Sequence, residues 1–192
     1  MKFYFIDQNY SNNYAQLTAK NYKIEEVQVY ENGELSTGVK FVYTEPYLYT
    51  VKGVKLADHY PLMAGTRLIS NAVIEIFQKE GIKFGDVIPW VCDGWTDKKG
   101  NALDIERIKY YMLSPVKCGV LYDNDGNEIP ASGPNLSNKG FSIDIDSWDG
   151  SDIFTFNNFG AYVATERVKE IVENNKLKNF TFKDIGEPWF NN

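Results

Sequence analysis

Apolar and aromatic residues in the first third of the chain gather in short runs separated by polar stretches. The first run, residues 2–6, is rich in the aromatic residues that strands favour. Residues 8–21 are polar and Asn-rich and read as loop. Residues 24–30 and 39–43 are β-prone, with Asn32-Gly33 between them as a turn signal. A further run, residues 47–51, starts after Pro46. The pattern predicts a small antiparallel sheet built by the N-terminal third.

The period then changes. Ser70 stands where a helix N-cap is expected, and Ala72, Val73, Ile76 and Phe77 fall on one face of a helix over residues 71–80. Gly81 is the expected left-handed stop. Residues 82–91 read as a strand interrupted by Gly85 and Pro89, and 105–113 as another, whose first part (DIERI) also fits a helix. Residues 117–122 and 127–130 flank Asp123-Asn124-Asp125-Gly126, a hairpin signal. Short strands are expected at 141–145, 153–156 and 162–164. Thr165 caps a second helix over 166–174, with Val168, Ile171 and Val172 on one face, and a last strand covers 180–182.

The two helical segments resemble each other. GTRLISNAVIEIFQKEGIK (65–83) and GAYVATERVKEIVENNKLK (160–178) align without a gap and are identical at five positions. Shared caps and helical stripes arise from physics alone, so convergence and duplication both remain open at this level. The order of elements predicts an α+β fold: mostly antiparallel sheet with two main helices, each inside a strand–helix–strand unit. Residues 1–64 form the β-rich portion and 65–192 the α+β portion, expected to make one compact unit.

Composition narrows the chemistry. One histidine, His59, and two cysteines, Cys92 and Cys118, cannot assemble a structural zinc site. The cysteines have no CxxC spacing and read as buried thiols in a reducing compartment. No apolar run is long enough for a membrane span, and the apolar start is too short for a signal-peptide core. A cytoplasmic protein is expected. The net charge of -6 and pI near 4.9 argue against nucleic acid and suit a basic protein partner. Neither GxGxxG nor GxxxxGK[ST] occurs, so no cofactor is expected.

The densest candidate site is DIDSWDGSDIF. Asp144, Asp146, Asp149 and Asp152 surround Trp148. The cluster reads as a solvated turn, as an acidic patch anchored by Trp148 for a basic partner, or as a Ca²⁺ or Mg²⁺ site. The metal reading underlies the alternative function, a divalent-metal-dependent hydrolase. Residues 123–128 do not fit the EF-hand offsets and read as a turn. His59 could activate a cysteine, but no family signature supports a dyad, so it reads as a structural or merely exposed histidine in the loop-like stretch before Pro61. Trp90 reads as packing, while Trp95 and Trp189 stay open between packing and interface. The aromatic fraction of 15% also raises a carbohydrate-binding module, which the lack of an export signal disfavours.

Residues 66–184 resemble a family of bacterial immunity proteins from polymorphic toxin systems, formerly a domain of unknown function. The resemblance lies in LISNAVIEIFQKEGIKFGDVIP, RIKYYMLSPVKC, DSWDGSDIFTF and AYVATERVKEIVENNKLKNFTF, in that order. It implies a non-enzymatic protein that binds and neutralises a cognate toxin domain. The acidic turn, with Asp144, Asp146, Trp148, Asp149 and Asp152, is expected to form part of the partner-binding surface.

Overall fold

The computed structural model describes residues 1–7, 16–31, 34–49, 56–61, 67–90, 95–96, 102–103, 110–130 and 140–188. Of these, 16–31, 34–49, 88–90, 95–96 and 102–103 are described as backbone. The strands are β1 (Phe3–Asp7), β2 (Gln16–Glu31), β3 (Glu34–Tyr49), β4 (His59–Pro61), β5 (Arg67–Ser70), β6 (Asp86–Trp90), β7 (Trp95–Thr96) and β8 (Ala102–Leu103). They continue with β9 (Tyr110–Ser114), β10 (Val116–Lys117), β11 (Leu121–Asp123), β12 (Phe141–Ile143), β13 (Ile153–Thr155), β14 (Tyr162–Thr165) and β15 (Thr181–Asp184). The helices are α1 (Asn71–Lys79) and α2 (Glu166–Asn174). The architecture is α+β with mostly antiparallel sheets and two helices, as the sequence pattern predicts.

Two compact units are present. One comprises Met1–Ser11, Ala57–Trp90 and Lys109–Asn192, the other Asn12–Leu56 and Val91–Ile108. The smaller unit is built on the antiparallel pair β2–β3, in register from Gln16 opposite Tyr49 to Glu31 opposite Glu34. β2 begins within the stretch expected to be loop, because pairing with β3 supplies backbone hydrogen bonds that composition does not reveal. The Asn32-Gly33 turn signal lies outside the described residues. β7 and β8 add a short antiparallel pair.

The larger unit holds a five-stranded sheet, β10-β13-β14-β1-β15, and a four-stranded sheet, β4-β5-β9-β6. All neighbours pair antiparallel except β10 and β13. Here the sequence expectation is corrected: β1 does not join an N-terminal sheet but sits between β14 and β15. Its alternating side chains explain why. Phe3 and Phe5 enter one apolar cluster with Leu121, Phe141 and Phe154, while Ile6 enters another. That second cluster draws on both helices, through Val73, Ile74 and Phe77 of α1 and Val168 and Val172 of α2. Each such side chain contributes roughly 1.5–3 kcal/mol when fully buried.

Both helices begin and end alike. Ser70 and Thr165 occupy the N-cap positions with extended backbone, yet neither side chain caps its helix. Both helices end in the two-bond Schellman pattern. Ile82 N–H donates to Phe77 O and Gly81 N–H to Gln78 O; Leu177 N–H donates to Val172 O and Lys176 N–H to Glu173 O. Gly81 and Lys176 take the left-handed conformation this requires, at φ 63 and 53. No helix among the described residues is long and apolar enough to cross a membrane.

Candidate functional site

The acidic segment follows β12 and builds two consecutive turns. Asp144 caps one turn of 3-10 helix (Ile145–Ser147), its Oδ1 accepting from Asp146 N–H at 3.1 Å. The turn is fixed to the chain before β11. Asp144 N–H donates to Val120 O at 3.1 Å, and Gly119 N–H donates to Ser147 O at 2.9 Å. Val120 N–H reaches Ser147 Oγ at 2.9 Å. Asp149 closes the second turn by accepting from Ser151 N–H at 2.8 Å. Hydrogen bonding from Ser151 is the main reason its carboxyl is held below the ordinary range, outweighing partial burial. Asp149 is therefore ionised at neutral pH.

The five expected residues separate into two groups. Asp146 and Asp149 are exposed and Asp144 is half-buried. Trp148 is half-buried and committed to packing. Its Nε1–H donates to Ser151 O at 2.9 Å, and its ring stands edge-on to Phe3 with centroids 5.2 Å apart. Asp152 is buried. Its Oδ1 accepts from the Thr165 hydroxyl at 3.0 Å and its Oδ2 from Lys83 N–H at 2.9 Å. The Arg167 guanidinium lies 3.6 Å from Oδ2. Ile145, which sequence reasoning passed over, is 50% exposed at the centre of the acidic turn. It ends the alternating run Phe141–Ile145, expected as strand, but β12 stops at Ile143 and leaves Ile145 in the turn.

No group of three or more His, Cys, Asp or Glu among the described residues is placed to hold a metal ion. The Asp123 turn is the hairpin that the sequence signals. Asp123 Oδ1 accepts from Asp125 N–H and Asn127 N–H at 2.9 and 2.8 Å, and Gly126 takes φ 82.

Among the described residues the two potential reactive groups, Cys118 and His59, are both buried. Cys118 is a free thiol, pushed up to about 11 mainly by burial, so it stays protonated at neutral pH. Cys92 lies outside the described residues. His59 belongs to β4 and is 1% exposed. Its Nδ1 lies 3.0 Å from Asn179 O, the Asn179 amide donates back to His59 O at 2.7 Å, and Phe180 stacks on the ring at 4.6 Å. Nδ1 therefore carries the proton, facing a carbonyl. Burial, and secondarily Arg67, lower its pKa to about 3. This is a neutral structural histidine.

A further hydrogen-bonded frame surrounds the half-buried Asp58, which sequence reasoning did not single out. Its Oδ1 accepts from the Ser70 hydroxyl at 3.0 Å and its Oδ2 from Lys178 N–H at 2.7 Å. The Ser70 and Thr165 hydroxyls thus serve aspartates rather than helix ends. Comparison of the chain with known protein-family models and with curated proteins finds no match.

Proposed function

We propose that this protein is a non-enzymatic immunity protein that binds a cognate bacterial toxin domain in the cytoplasm and neutralises it. The observation that carries the reading is the pre-formed acidic segment: Asp146, Asp149 and Ile145 are all exposed on two consecutive hydrogen-bonded turns. Exposed carboxylates with an exposed apolar side chain among them suit a basic partner surface, because the charges steer encounter and the apolar group supplies contact. A fixed turn also loses little freedom on binding. The turn forms one part of an interface that would need on the order of 1,600 Å² in total. The resemblance over residues 66–184 supports the same reading.

The test is co-expression with the C-terminal toxin domain encoded next to this gene. Growth rescue and a co-purifying complex are expected. The I145D/D146K variant alters only the exposed tip and should keep its fold while weakening the complex about tenfold or more, read by calorimetry. Absence of both rescue and complex with the neighbouring toxin domain would sink the reading.

A further inference from the structure

The two larger sheets of this unit follow one plan. The order β4-β5-β9-β6 matches β13-β14-β1-β15 strand for strand, with all pairings antiparallel. The registers agree as well. Ser70 lies opposite Tyr110 and Asp86 opposite Ser114; Thr165 lies opposite Phe3 and Thr181 opposite Asp7. The gapless alignment of 65–83 with 160–178 superposes β5 on β14 and α1 on α2, including both helix ends.

Chain order adds a crossing. Let the module run as first strand, edge strand, inner strand, helix, last strand. Copy one is then β1, β4, β5, α1, β6, and copy two is β9, β13, β14, α2, β15. Each copy's first strand lies in the other's sheet: β1 between β14 and β15, β9 between β5 and β6.

The hydrogen bonds between the sheets are reciprocal. Asp58 holds Ser70 of its own copy and Lys178 N–H of the other; Asp152 holds Thr165 of its own copy and Lys83 N–H of the other. Asp58 N–H donates to Lys178 O and Asp152 N–H to Lys83 O, at 3.2 and 2.7 Å. Arg67 and Tyr162 are equivalent positions. Arg67 donates to Ile6 O at 3.3 Å, and Tyr162 donates to Leu113 O at 2.9 Å. Ile6 and Leu113 are themselves equivalent by register. The Arg67 guanidinium rests on the Tyr162 ring, 5.4 Å from its centroid.

Convergence accounts for caps and helical stripes, but it does not produce the same register, the same crossing and the same exchanged bonds together. We infer that the larger unit is a fused pair of like modules that exchange their first strands, derived from a strand-exchanged dimer. The copies differ in what they insert between first and edge strand: residues 8–57 in copy one, 115–151 in copy two. The acidic turn lies in the second insertion. The surface proposed above, on whose reading this last point rests, therefore belongs to a segment that the modules do not share.

Exchange of equivalent residues tests the inference on the full chain, independently of any toxin. Y162R sets two guanidiniums against each other and should lower the thermal midpoint by about 8 °C or more. In R67Y/Y162R the two side chains trade places, each meeting the carbonyl its equivalent met, and at least half the loss should return. R67M/Y162R relieves the repulsion without restoring a donor to Ile6 O and should recover clearly less. If Y162R does not fold, a cooperative transition in R67Y/Y162R but not in R67M/Y162R carries the same support. The inference is overturned if R67Y/Y162R is no more stable than Y162R, or if R67M/Y162R recovers as much.

Discussion

At the scale of single residues, buried polar groups govern how stability responds to conditions. His59 is native in its neutral form, with a pKa lowered to about 3 from 6.5. Between those values the unfolded chain binds the extra proton, so stability rises with pH across the window. It is lost as pH falls from 6.5 toward 3 and is flat, for this group, above 6.5. The slope from His59 alone is about 1.4 kcal/mol per pH unit within that window. Urea midpoints at pH 7, 6 and 5 should show this component, and His59→Ile, which copies the equivalent Ile153, should remove it. Asp152 gives a second case. Asp152→Ala strips acceptors from Lys83 N–H and the Thr165 hydroxyl and should cost about 2–4 kcal/mol in chemical denaturation. Asp152→Asn keeps one carbonyl acceptor and should cost less. These roles were not legible in the sequence. Asp152 looked like its exposed neighbours because burial is set by β13 and β14, and the Ser70 and Thr165 hydroxyls looked like caps because only the fold brings an aspartate to each.

At the scale of elements, the sequence speaks clearly where the determinants are local. Both helices fall within a residue of their expected bounds, since the apolar stripe, the N-cap residue and the stop lie within one short segment. The hairpin at Asp123–Gly126 was equally legible, because its turn residues enforce it locally. Strands were less so: β2 and β4 are defined by partners, and polar residues pair as readily as apolar ones when a neighbour is present. The helix ends provide a quantitative check. Gly81 adopts its left-handed conformation without steric cost, whereas Lys176 carries a Cβ at φ 53. Lys176→Gly should therefore stabilise the protein by about 0.5–1 kcal/mol, less whatever the freer unfolded chain takes back. A lower urea midpoint in Lys176→Gly would show that its side chain contributes contacts beyond the turn.

At the scale of the larger unit, the order of the chain and the order of the sheet diverge, and the consequences centre on β1. This strand lies between β14 and β15, so its partners are more than 150 residues away in the chain. No local pattern in residues 3–6 could announce that, beyond their being apolar on both faces. The same separation slows assembly, since the loop closure must be completed before its contacts reward it. Phe5 is the sharpest probe. It is buried against Phe141 and Phe156, with ring centroids 6.0 and 6.4 Å away. Phe5→Ala should cost about 3–5 kcal/mol by lost burial and the cavity left behind. If β1 docks after the rest of the five-stranded sheet has formed, that loss appears in the unfolding rate, with the folding rate nearly unchanged. Stopped-flow chevrons of wild type and Phe5→Ala separate the cases. A folding limb slowed in proportion to the full destabilisation would place β1 in the nucleus, and the exchanged strands would then organise the fold from the start.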